Sequence, residues 1–149
     1  MRRTTRSLAA AAAALLLLGP AACGADDIGG DDASAAAGVE AAAGVRVVSP
    51  DEAAELLAAD PAPAVIDVRT AEEFEQGRIE GAVLIDVTSP DFAERVAELD
   101  PDQPYVLYCR SGNRSVTARQ VLSDLGFADV ADIEGGIAAW VEDGRPVVT

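Results

Sequence analysis

The chain has 149 residues and is strongly acidic, with 11 Arg, no Lys and no His against 26 Asp and Glu, a net charge of −15. That balance leaves no basic face for a nucleic-acid backbone. Without histidine, a Cys-His or Ser-His-Asp nucleophile and a His-ligated metal centre are also excluded.

In chain order, Met1 to Ser7 carries three Arg, Leu8 to Leu18 is an unbroken Ala/Leu run, and small residues lead to Cys23. This is a signal peptide in outline over residues 1–22, its apolar run too short for a membrane span of about twenty residues. It resembles a bacterial lipoprotein signal, with Pro20 standing where such signals usually have Leu. The resemblance implies lipidation at Cys23 and a chain anchored to the cell membrane on its extracytoplasmic side, periplasmic or cell-surface. Removal of Arg2, Arg3 and Arg6 would leave 8 basic against 26 acidic side chains, a net −18. Residues 23–44 are Ala, Gly and Asp with almost no large apolar side chain, and read as a disordered tether. Asp26, Asp27, Asp31 and Asp32 read as a solvated, self-repelling spacer rather than a metal cluster.

Residues 45–149 read as one α/β domain. Val45 to Val48 predicts a strand, and Ser49-Pro50-Asp51-Glu52 a capping box with Pro at the first helical position, opening a helix to about Ala59. Ala64 to Val68 is a buried strand; Thr70 to Glu73 is a second capping box, for a helix ending near Gly77. A third strand over Ala82 to Val87, a helix over Asp91 to Leu99 and a fourth strand over Tyr105 to Tyr108 follow. Ser115 to Leu125 predicts a helix with Val116, Val121, Leu122 and Leu125 on one side and Gly126 as its stop. Ala128 to Ile133 is a fifth strand and Gly136 to Glu142 a last short helix. Alternation at these spacings predicts a five-stranded parallel sheet with helices on both faces.

The chemistry centres on Cys109, between the fourth strand and the polar loop Arg110-Ser111-Gly112-Asn113-Arg114. A cysteine at the carboxyl end of such a strand faces the next helix's N-terminus, where backbone N–H groups stabilise a thiolate. Gly112 allows the loop a positive φ, and Arg110 and Arg114 put two permanent charges near the sulfur. The alternative is a small buried hydrophobe at a strand end.

With these pieces in place, the chain resembles a single-domain rhodanese. The likeness rests on Val-Ile-Asp-Val-Arg at 65–69 with Glu73-Phe74, on Gly77 to Ala82, on the loop Cys109 to Ser115, and on Glu134-Gly135-Gly136 with Trp140. It implies a Rossmann-like fold and a sulfurtransferase in which Cys109 takes a sulfane sulfur from a small anionic donor such as thiosulfate. Cys109 would hold it as a persulfide and pass it to a thiol, cyanide or protein acceptor, with no cofactor and no metal. By the same likeness, Arg110 to Arg114 cradle the sulfur, Asp67 and Arg69 support the site, and Gly135, Gly136 and Trp140 form a packing motif. Read from the residues alone, a structural ion pair between Asp67 and Arg69 is an equal alternative. Arg78 and Glu80 stand where the family commonly has His and Pro.

Two other readings share this fold. Cysteine-dependent phosphatases and their arsenate-reducing relatives place five residues between Cys and Arg, where this loop has four, Arg110 to Asn113. A non-catalytic binding module would need no working nucleophile. Disulfide exchange lacks a resolving cysteine near Cys109.

Overall fold

The computed structural model describes residues 44–149. The expected signal peptide, Cys23 and the expected tether up to residue 43 lie outside the described residues. The elements are β1 (Gly44–Val48), α1 (Pro50–Leu57), β2 (Ala64–Asp67), α2 (Ala71–Gln76), β3 (Ala82–Leu84), α3 (Phe92–Ala97), β4 (Tyr105–Tyr108), α4 (Asn113–Asp124), β5 (Asp129–Ile133) and α5 (Gly136–Glu142). The five strands form one sheet in the order β1-β5-β4-β2-β3, every pairing parallel.

Because successive side chains of a strand point to opposite faces, the sheet sorts its own core in two. Tyr105, Leu107 and Cys109 of the β4 segment pack with Phe92 and Val96 of α3 and Ala118 and Leu122 of α4. Val106 and Tyr108 face the other way, against Ala53 of α1 and Ile137 and Trp140 of α5. Trp140 is therefore a core residue, its indole N–H donating to the Pro146 carbonyl at 3.0 Å.

Both predicted capping boxes form: Ser49 with Glu52, and Thr70 with Glu73. β3 is shorter than its sequence implies: beyond Leu84 the Ile85 and Val87 N–H groups still donate to the Asp67 and Val68 carbonyls, and the Asp86 carboxylate accepts from the Thr88 N–H and hydroxyl. α4 differs in phase from the expectation. Val116 (57% exposed) and Leu125 (41%) face solvent, and the inward residues are Ser115, Ala118 and Leu122. The helix starts two residues earlier than expected, directly after Gly112, and its inward stripe begins at the buried Ser115 beside the sulfur. The spacing of three and four residues then carries that stripe to Ala118 and Leu122 and rotates Val116 outward.

Candidate active site around Cys109

β4 is buried along its whole length and ends at Tyr108, which delivers Cys109 to the edge where α4 begins. Gly112 turns the loop there with φ +88. The Gly112 N–H donates to the Cys109 sulfur at 3.1 Å. Burial pushes the Cys109 thiol up, but the Ser115 hydroxyl, then the N–H groups of Ser115, Ser111 and Gly112, outweigh it and bring the thiol below its ordinary value. These donors belong to the loop and to the open first turn of α4, whose N–H groups have no partner within the helix. The thiol is 1% exposed, so it lies beneath its loop with the amides turned toward it.

The loop is held from below by a close backbone approach. The Ile137 N–H donates to the Cys109 carbonyl at 2.9 Å and the Ala138 N–H to the Arg110 carbonyl at 3.1 Å. A Cβ on Gly136 would stand 2.3 Å from the Cys109 carbonyl oxygen, and Gly136 has φ +62. Only glycine fits that position.

The two loop arginines do different things. Arg114 is taken by Glu73, with both guanidinium N–H contacts at 2.7 Å, and this pair holds the Glu73 carboxyl at about 2. Arg114 still feels the charge of Cys109, but its own charge is matched by Glu73. Arg110 is exposed and lines a cavity of about 360 Å³ beside the loop, together with Arg69, Glu73, Gln76 and Ile137. Thiolate stabilisation therefore rests first on hydrogen bonds, with Arg114 adding a partly neutralised charge. Ser111 lies in the loop and supports the thiolate through its N–H, whereas Asn113 is the first residue of α4.

Asp67 and Arg69 form a closed, buried ion pair. Arg69 donates through Nε at 2.9 Å to both carboxylate oxygens, through Nη2 to Oδ2 at 2.6 Å, and from Nη2 to the Gly77 carbonyl at 2.7 Å. Arg69 also lies over the Tyr108 ring, 5.5 Å from its centroid. This pair ties the end of β2 to the end of α2 and supports the wall of the cavity. Of the departures from the family pattern, Arg78 stacks on Phe74 at 4.7 Å.

Sequence reasoning named Glu73 as a cap and a motif residue and Ser115 as a helix start and the end of the loop motif, gave neither a role at the sulfur, and did not single out Asp132. The available signal for Asp132 was an acid between Ala131 and Ile133 near the end of a mostly apolar strand, where carboxylates are rarely buried without a purpose. Among the described residues no group of three or more His, Cys, Asp or Glu could hold a metal ion.

A family model described as "Rhodanese-like domain" matches residues 49–143. A protein of Allochromatium vinosum named sulfurtransferase is 37% identical over 84 residues, 56% of this chain and 77% of the relative. A Mycobacterium tuberculosis protein, MoeZ, whose name pairs an adenylyltransferase with a sulfurtransferase, is 35% identical over 99 residues. Those residues are 66% of this chain but only 25% of that relative. The crystal structure of a rhodanese-related protein from Thermoplasma volcanium superimposes with a TM-score of 0.62 at 35% identity, covering 69% of this chain and 97% of that one.

Proposed function

Because the chain belongs to the rhodanese-like domain family, we propose that it is a sulfurtransferase that carries a sulfane sulfur on Cys109 between a small anionic donor, such as thiosulfate, and a thiol, cyanide or protein acceptor. The observation that carries this reading is the Gly112 N–H on the Cys109 sulfur at 3.1 Å, inside a loop with only four residues between Cys109 and Arg114. A cradle of that size suits one added sulfur atom.

In the first half-reaction the Cys109 thiolate attacks the outer sulfur of thiosulfate. The S–S bond of the donor breaks, sulfite leaves with the electron pair, and Cys109 becomes a persulfide. In the second, the acceptor attacks the outer sulfur, the persulfide bond breaks, and its electrons return to Cys109 as thiolate. The N–H groups that favour the thiolate thus act twice, on the nucleophile and on the leaving group. Anchorage through a lipid on Cys23, on the extracytoplasmic side of the membrane, belongs to the same proposal and rests on the sequence pattern of residues 1–23.

The test is intact-mass measurement after incubation with thiosulfate and removal of excess donor. One added sulfur is expected, absent in Cys109→Ser and discharged by cyanide. A Cys109 that gains no sulfur from thiosulfate, an organic persulfide or polysulfide would overturn the reading.

A further inference from the structure

The face of the sheet that carries Cys109 also carries a carboxyl group with no task in the steps above. Asp132 of β5 stands opposite Leu107 of β4, and Cys109 lies two residues beyond Leu107. Strand spacing and rise put the two Cα atoms about 8 Å apart on neighbouring strands. Both side chains are on the α4 side, since Leu107, Cys109 and Val130 share one core cluster and Ala131 and Ile133 the other. Ser115 of α4, fully buried, opens the inward stripe of that helix on the same face, and its hydroxyl favours the charged form of both groups.

The polar atoms between them are not closed off. Ser115 Oγ, Asp132 Oδ1 and Arg119 Nε are buried and none has a hydrogen-bond partner, although Asp132 is only 2% exposed. The charged group facing Asp132 from α4 is Arg119, whose Nε is 3.1 Å from Oδ2. β1 presents Val47 opposite it, β4 presents Leu107 and the Cys109 thiol, and α1 and α5 pack on the other face. Arg114, near the sulfur, is held by Glu73. Arg119 therefore sets its charge beside one carboxylate oxygen without a hydrogen bond from Nε, and Oδ1 has no hydrogen-bond partner.

We propose that Asp132 is a positioning residue for the sulfur chemistry, deciding through Ser115 whether that hydroxyl donates to the Cys109 sulfur or is held by the carboxylate. A serine hydroxyl has one proton to give. An ionised Asp132 is the stronger acceptor and draws that proton to Oδ1, so that Cys109 meets a lone pair. A protonated Asp132 donates to Ser115 Oγ instead, and the serine proton turns to the thiolate. Burial, against the pull of Ser115 and Arg119, pushes the Asp132 carboxyl up to about 6, so both states are populated at mildly acidic and neutral pH. The thiolate is thus best supported when Asp132 holds a proton, and loses a donor and gains a repelling charge as the pH rises through that value.

This inference rests on Cys109 being the sulfur carrier, but its test reads the thiol and needs no sulfur donor. A chain that took up no sulfur would refute the proposed function while the measurement below still decided this one. The full chain is alkylated with iodoacetamide across pH, and the rate is followed by mass spectrometry on the Cys109 peptide. The wild-type profile should show an inflection near pH 6 as well as the thiol's own step. Asp132→Asn, which keeps the shape and removes the charge, should abolish that inflection and move the thiol step down by about one pH unit, part of it the charge removed and part the Ser115 proton released to the sulfur. Ser115→Ala should raise the thiol step and reduce the effect of Asp132→Asn in the double variant to its direct charge part. An unchanged profile in Asp132→Asn, or an effect undiminished in the Ser115→Ala background, would overturn the proposal. Should Asp132→Asn fail to fold, the wild-type inflection and its reduction in Ser115→Ala carry the same decision.

Discussion

Two buried aspartates flank β4, one on each neighbouring strand, and they are treated in opposite ways. On β2, Asp67 has both oxygens bonded by Arg69, which also reaches the Gly77 carbonyl. On β5, Asp132 has one oxygen near Arg119 and the other without a bond. A closed pair stabilises one arrangement, whereas an open carboxyl keeps proton affinity to spare and can respond to its surroundings. The rigid wall of the site and its adjustable floor are thus built from the same residue types, and the difference lies in how completely each acid is satisfied.

The largest effect should come from opening the closed side. Asp67→Asn leaves the Arg69 guanidinium buried without its counter-charge and is expected to cost about 3–5 kcal/mol in urea unfolding. A cost comparable with that of an exposed pair would remove the contrast.

Next comes the half-buried clamp between Glu73 and Arg114. Its carboxyl is held at about 2, so the stabilisation is complete above the ordinary carboxylate range and is lost as the pH falls from about 4.5 toward 2. Glu73→Gln should lose about 1–2 kcal/mol at pH 7, a figure reduced for the partial exposure of both side chains, and the difference from wild type should vanish in strong acid. A pH-independent loss would mean that packing rather than charge holds the loop.

The smallest effect has the opposite sign. A carboxyl raised to about 6 is bound to its proton more tightly in the folded chain, so folding is weakened as the pH rises from about 4 to 6 and stays weakened above it. Asp132→Asn should therefore stabilise the protein by about 1 kcal/mol at neutral pH, with the gain shrinking toward pH 4. Thermal unfolding across that range checks it, and destabilisation at pH 7 would place Asp132 with the closed pairs.

The strand pattern, both capping boxes, the loop and its Gly112 could be read from the chain because each is a local signal: an alternation, a cap, a turn residue. The closed state of Asp67 and Arg69 was one of two open readings, since adjacency cannot say whether a guanidinium turns toward its neighbour or toward a ligand. Glu73 with Arg114 escaped because the two are 41 residues apart. The phase of α4 was misread because apolarity pointed to Val116, while the structure turns Ser115, at the sulfur, inward. Ser115 and Asp132 escaped for the same reason as Glu73, since their meeting depends on which strands are neighbours.

The edge position of β1 has a consequence for how the domain is made. β1 has β5 as its one strand partner, and the ion pair between Arg46 and Asp129 joins residues 83 apart. A strand synthesised first must wait for one synthesised last, and contacts of such long range slow the search for the native arrangement. While the intervening chain emerges, β1 cannot be zipped into its ladder, and the sheet acquires its final strand only after the loop that carries Cys109 has already left the ribosome.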